Sequence, residues 1–149
     1  MRHLEIDSNT GNHPMQRINA ATIFLLAIAF WGSQSFAQSV PDFSVNLSNA
    51  WRVDVYSNLS PLTINTIHSW RLKVTDSAGQ PVEDVTVQVA GGMPDHDHGL
   101  PTQPQVTAEI ATGEYLLEGV RFHMPGRWRM DFIVEAGNAI HRGFANIEL

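Results

Sequence analysis

Residues 93–98 read Met93-Pro94-Asp95-His96-Asp97-His98, and some 25 residues later the chain reads Phe122-His123-Met124-Pro125-Gly126. Two methionine–proline steps, each beside histidine, stand in a chain that has no cysteine. Thioether sulfur and imidazole nitrogen together suit copper better than the harder biological metals, Cu(I) through sulfur and Cu(II) through imidazole. The candidate ligands are Met93, His96, His98 and Met124, with His123 as a substitute for one of them.

The segment Gly92 to Pro104 carries three prolines and two glycines, which favour an ordered loop over a strand. In an extended backbone His96 and His98, two residues apart, project to the same side. Asp95 and Asp97 then point to the other side, where they can accept hydrogen bonds or raise the local negative potential. Strict alternation in the second element puts Met124 on the Phe122 face and His123 opposite. Both can ligate only if Pro125-Gly126 breaks the pleat. The bland alternatives are a polar loop tip and methionines that fill gaps in a core, as expected for Met130. His68 and His141 are expected at the surface. A lone His-x-His is a weak signal; the two Met-Pro elements together are a more specific one.

The elements that must position these residues read as strands. Trp51–Tyr56, Trp70–Thr75 and Val85–Val89 alternate apolar and polar residues, and the third runs into Gly91-Gly92, expected to end the strand. Val106–Ala111, Tyr115–Val120, Arg127–Val134 and Ala139–Leu149 follow, with turn chemistry at Asp76–Pro81, Ala111–Glu114 and Ala136–Asn138. No amphipathic helix competes. About seven strands in about 100 residues predict an all-β, immunoglobulin-like β-sandwich, with a closed barrel as the alternative. Loops cluster at each end of a sandwich, so residue 93, ending one strand, and residue 124, preceding another, can meet.

The N-terminus points outside the cytoplasm. Ala20 to Trp31 is apolar and uncharged, Arg17 precedes it, and Ser35-Phe36-Ala37 offers small residues for cleavage. This is the pattern of a secretory signal peptide, and the run stops short of the roughly 20 residues of a spanning helix. The expected organisation is a signal peptide over residues 1–37, an extended lead-in or weak first strand over 38–50, and the sandwich over 51–149. Met15-Gln16-Arg17 would make a more compact start than Met1. Cleavage after Ala37 leaves 149 − 37 = 112 residues, enough for one core, in a periplasmic or extracytoplasmic setting with no retained membrane span.

Composition narrows the function. Without cysteine there is no thiolate zinc site, blue-copper site or thiol nucleophile. A net charge of −6 with scattered arginines offers no footprint for nucleic acid. No serine-centred nucleophile elbow or phosphate-binding glycine loop is present, and no carboxylate is spaced as a base over an open metal, so the chain is expected not to be an enzyme.

Met93-Pro94-Asp95-His96-Asp97-His98-Gly99, Pro101, Pro104, Gly113-Glu114-Tyr115 and Phe122-His123-Met124-Pro125-Gly126-Arg127-Trp128 resemble the YtkA-like domains over roughly residues 65 to 149. These are small exported or membrane-tethered sandwiches, similar in pattern to FixH-type proteins and loosely to copper-resistance carriers. The resemblance implies an immunoglobulin-like fold and an association with copper handling or respiratory oxidase assembly, with a metalloprotein or oxidase-assembly partner. Unlike the FixH type, this chain shows no retained membrane helix. The expected function is an exported metal-binding protein, a copper carrier or buffer. The alternative is a non-enzymatic interaction domain without metal, for which Trp51, Trp70 or Trp128 would serve as exposed anchors.

Overall fold

A computed structural model describes residues 39–149, and the expected signal peptide and its cleavage point lie outside the described residues. The described residues form nine strands: β1 (Phe43–Asn46), β2 (Arg52–Ser57), β3 (His68–Thr75), β4 (Thr86–Met93), β5 (His98–Gly99), β6 (Gln105–Ala111), β7 (Glu114–Val120), β8 (Arg127–Ala136) and β9 (Ala139–Glu148). They build two sheets, ordered β1-β2-β3-β7-β6 and β5-β4-β8-β9, in which every pairing is antiparallel. The order β2-β3-β7-β6 facing β5-β4-β8-β9 is the immunoglobulin-like arrangement. Both sheets keep open edges, so the fold is a sandwich and not a barrel.

Alternation along each strand supplies the core. Val53 and Val55 of β2, Trp70, Leu72 and Val74 of β3, and Tyr115 and Leu117 of β7 point inward from one sheet. Val87, Val89 and Met93 of β4 meet them from the other, with Trp128, Met130, Phe132 and Val134 of β8. Turn residues act where expected. Asp76 Oδ1 accepts hydrogen bonds from the N–H groups of Ala78 (2.8 Å) and Gln80 (2.9 Å), and Gly79 takes a φ of +76°. At the β8–β9 hairpin Ala136 pairs with Ala139 across Gly137-Asn138, with Gly137 at φ +57°.

Three expectations need amending. The two strands beyond seven are β1, which realises the weak first strand within residues 38–50, and the two-residue β5 inside the expected loop. Gly91-Gly92 do not end β4; the strand runs through them to Met93. A Cβ on Gly91 would run into the Met130 side chain, so glycine there makes room for the core. His68 and His141 are buried, 6% and 4% exposed, rather than at the surface. Each falls on an inward register of its strand, and each ring Nδ1 sits 3.1 Å from a backbone carbonyl, of Thr66 and Ser48 respectively. The His141 ring also stacks on half-buried Trp51, centroids 3.8 Å apart.

The antiparallel pairing fixes which loops share an end. β4 and β7 run toward the same end of the sandwich, and β8 starts from it. Segments 94–97 and 121–126 are therefore brought side by side.

Candidate metal site at the histidine end of the sandwich

The first element is a tight hairpin. His96 N donates to Met93 O (3.0 Å), closing a turn with Pro94 at its second position, where proline's fixed φ fits. Asp97 then takes φ +52°, and His98-Gly99 returns as β5, with His98 across from Met93 and Gly99 across from Gly92. Leu100 N donates to Gly91 O (2.9 Å), and Pro101 follows, unable to donate a further ladder bond. The backbones approach closely: a Cβ on Gly92 would lie 3.1 Å from His98 O. At the tip, Arg127 Nη2 donates to both Asp95 oxygens, at 2.8 and 3.0 Å. Both side chains are more than half exposed, so this pair contributes at most about 1 kcal/mol and serves mainly to fix where the turn lies.

Cross-strand partners share a face, so His98 projects on the Met93 side, over the end of the core. Met93 itself is 2% exposed, and a Cβ on Gly126 would lie 3.0 Å from its methyl carbon. Gly126 takes φ +117° and exchanges backbone hydrogen bonds with Leu149 at 2.7 and 3.1 Å, anchoring the second element.

That element departs from alternation because β7 ends at Val120. Phe122 is fully buried, and His123 and Met124 are both half-buried. The His123 ring turns toward the hairpin, with its centroid 5.0 Å from that of His98. His96, exposed, lies roughly parallel to His98 with centroids 5.8 Å apart. Trp128, fully buried, forms the floor: its ring centre is 6.2 Å from His98 and 5.4 Å from His123. Trp128 Nε1 donates to Met124 O (3.1 Å), tying the Met124 turn to β8, while the Met124 side chain packs against the core.

The structure thus gathers His98 and His123 over Trp128, with His96 beside His98 at the exposed rim and Met93 buried across from His98, and sets Met124 into the core margin. The Nδ1 atoms of His98 and His123 are buried and have no hydrogen-bond partner, as have the Nε2 atoms of His68 and His141 elsewhere in the fold; at the site the two orphaned atoms belong to neighbouring rings. An unsatisfied buried polar atom costs about 1–3 kcal/mol, which a bound ligand would offset. Two imidazoles on one ion, at about 2.0 Å per metal–nitrogen bond, place their ring centres within roughly 6 Å of each other, so the observed separations fit shared ligation. Among the described residues no group of three or more His, Asp or Glu is drawn up as a ready cage. The donors would be a pair of imidazoles with sulfur or solvent completing the set. A groove of about 380 Å³ lies beside the hairpin, lined by Gly91, Gly92, Pro94, Asp97, His98 and Arg129 among others.

Over residues 46–132 the sequence matches the YtkA-like family. The chain belongs to that family. The match starts at the end of β1, runs into β8, and spans both Met-Pro elements. No curated protein and no solved structure matches the chain. In this YtkA-like domain, sequence reasoning missed Trp128 as the floor beneath the histidines and Arg127 as the clamp on the hairpin. Arg127 carried a usable signal, a base adjoining one Met-Pro element opposite acids in the other. Trp128 read only as core, which it also is.

Proposed function

We propose that this YtkA-like protein binds copper at the histidine end of its sandwich and works outside the cytoplasm as a carrier or buffer. The observation that carries the proposal is the pair His98 and His123, with rings 5.0 Å apart and buried Nδ1 atoms that lack partners. His96 adds a third imidazole at the rim, and Met93 and Met124 are the nearby thioethers, a donor chemistry suited to copper. Asp95, the carboxylate at the hairpin tip, is engaged by Arg127. The role proposed is binding, without a reaction.

The test is a competition titration of the purified protein with Cu(I) and Cu(II) against a chelator of known affinity. Tight, stoichiometric binding that is lost in His98→Ala combined with His96→Ala or His123→Ala is the expected result. Affinity unchanged in both double variants would overturn the site, and an absence of copper binding would overturn the function. Of the three anchors named for the competing view, an interaction domain without metal, Trp70 and Trp128 are fully buried, and Trp51 is half-buried.

A further inference from the structure

The outer face of the β8–β9 pair carries side chains that the histidine end does not use. Ile133 and Glu135 of β8 and Ile140 and Arg142 of β9 point outward, because the residues alternating with them, Phe132, Val134 and His141, point into the core. The register pairs Ile133 with Arg142 and Glu135 with Ile140, so the four form a square. Its two diagonals differ in kind: Ile133–Ile140 is apolar, and Glu135–Arg142 is ionic. Ile140 is 44% exposed, and Phe144, next outward along β9, is 50% exposed. Neither Glu135 nor Arg142 forms an ion pair among the described residues, whereas the neighbouring Arg129 is paired with Asp131 and lies over the Phe144 ring at 3.9 Å.

We propose that this face is a docking surface for a second copy of the same chain. A two-fold axis lying in the interface along the Ile133–Ile140 diagonal sets each isoleucine against its own counterpart. The same rotation sets Glu135 of each copy opposite Arg142 of the other, so both unpaired charges gain an opposite partner. A surface that complements itself under a two-fold rotation is what an isologous interface requires. The apolar contact supplies the attraction, and the two ion pairs set the orientation. The histidine end lies off this face, at the strand ends, so both copies keep it free.

The test is sedimentation equilibrium of the purified protein from roughly 1 µM to roughly 300 µM, in which association with a Kd on the order of 10 µM is expected. Ile140→Lys, Glu135→Arg and Arg142→Glu should each weaken association by about tenfold or more. Glu135→Arg combined with Arg142→Glu exchanges the charges and should restore the wild-type Kd to within about threefold. A wild-type chain that stays monomeric across the range overturns the proposal. So does a double exchange that associates no better than the single variants. If Ile140→Lys fails to fold, the surface charge variants decide the matter alone.

Discussion

His98 and His123 lie 25 positions apart in sequence, yet their ring centroids are 5.0 Å apart, and each buries an Nδ1 that has no hydrogen-bond partner. Two strands create the relationship. β5 folds back on β4 and places His98 across from Met93, while β7 ends at Val120 and frees His123 from the pleat.

The two central imidazoles should therefore matter equally, and His96 less. His98→Ala and His123→Ala are each expected to lower copper affinity by more than the ~10–100-fold typical of outer-shell changes. His96→Ala, at the exposed rim, is expected to stay at or below that range. Chelator competition on the three single variants reads the order, and a loss concentrated in His96→Ala would reverse it.

Asp97 holds the left-handed turn at φ +52°, a conformation that Asn and Asp tolerate and β-branched residues do not. Asp97→Asn should leave stability within about 0.5 kcal/mol, and Asp97→Val should cost about 1–2 kcal/mol. Urea unfolding of the pair distinguishes this turn role from a role for the carboxylate charge, since both variants remove the charge and only one strains the turn.

Gly143 in β9 passes directly beneath the backbone of β1: a Cβ there would collide with the Asn46 carbonyl oxygen and press on the Leu47 side chain. Backbone cannot step aside as a side-chain tip can. Gly143→Ala should destabilise by about 1–3 kcal/mol, read as a lower midpoint in denaturant. An unchanged midpoint would mean that β1 is not held against β9.

Alkaline stability follows from Tyr115. Its hydroxyl donates to Val82 O (2.9 Å) and accepts from Val85 N (3.3 Å), and the residue is 2% exposed. Burial, ahead of the nearby Glu109 charge, holds its pKa above the ordinary value of 10.0. The neutral phenol is the form that the fold favours. Its contribution is full below pH 10 and is lost as pH rises through the raised value. Tyr115→Phe should flatten part of the loss in melting temperature above pH 10, and leave the part due to Tyr56, also raised by burial. An alkaline limb identical in the variant would contradict the assignment.

Period-two alternation was enough to locate seven of the strands to within a few residues. Inward valines and aromatics on a two-sided sheet leave little freedom of register. The same local rule could not find β5, since two residues carry no periodicity. Nor did it place Gly91-Gly92, which pair with Met130 and Arg129 of β8 and of which Gly91 leaves room for the Met130 side chain. His68 and His141 were misplaced because histidine's polarity says surface, while an inward position and a carbonyl partner for Nδ1 accompany burial, with each Nε2 left without a partner.

For the candidate site, the sequence alone named the candidate donor types and allowed them to meet at one end of a sandwich, because loops cluster at the two ends of that fold. Tertiary structure decided which donors meet. His123 and Met124 compete for the hairpin side, and only the end of β7 at Val120, the Trp128 bond to Met124 O and the turn at Gly126 settle the choice for His123. Those are contacts between residues distant in sequence or set by backbone geometry, so no spacing rule could contain them.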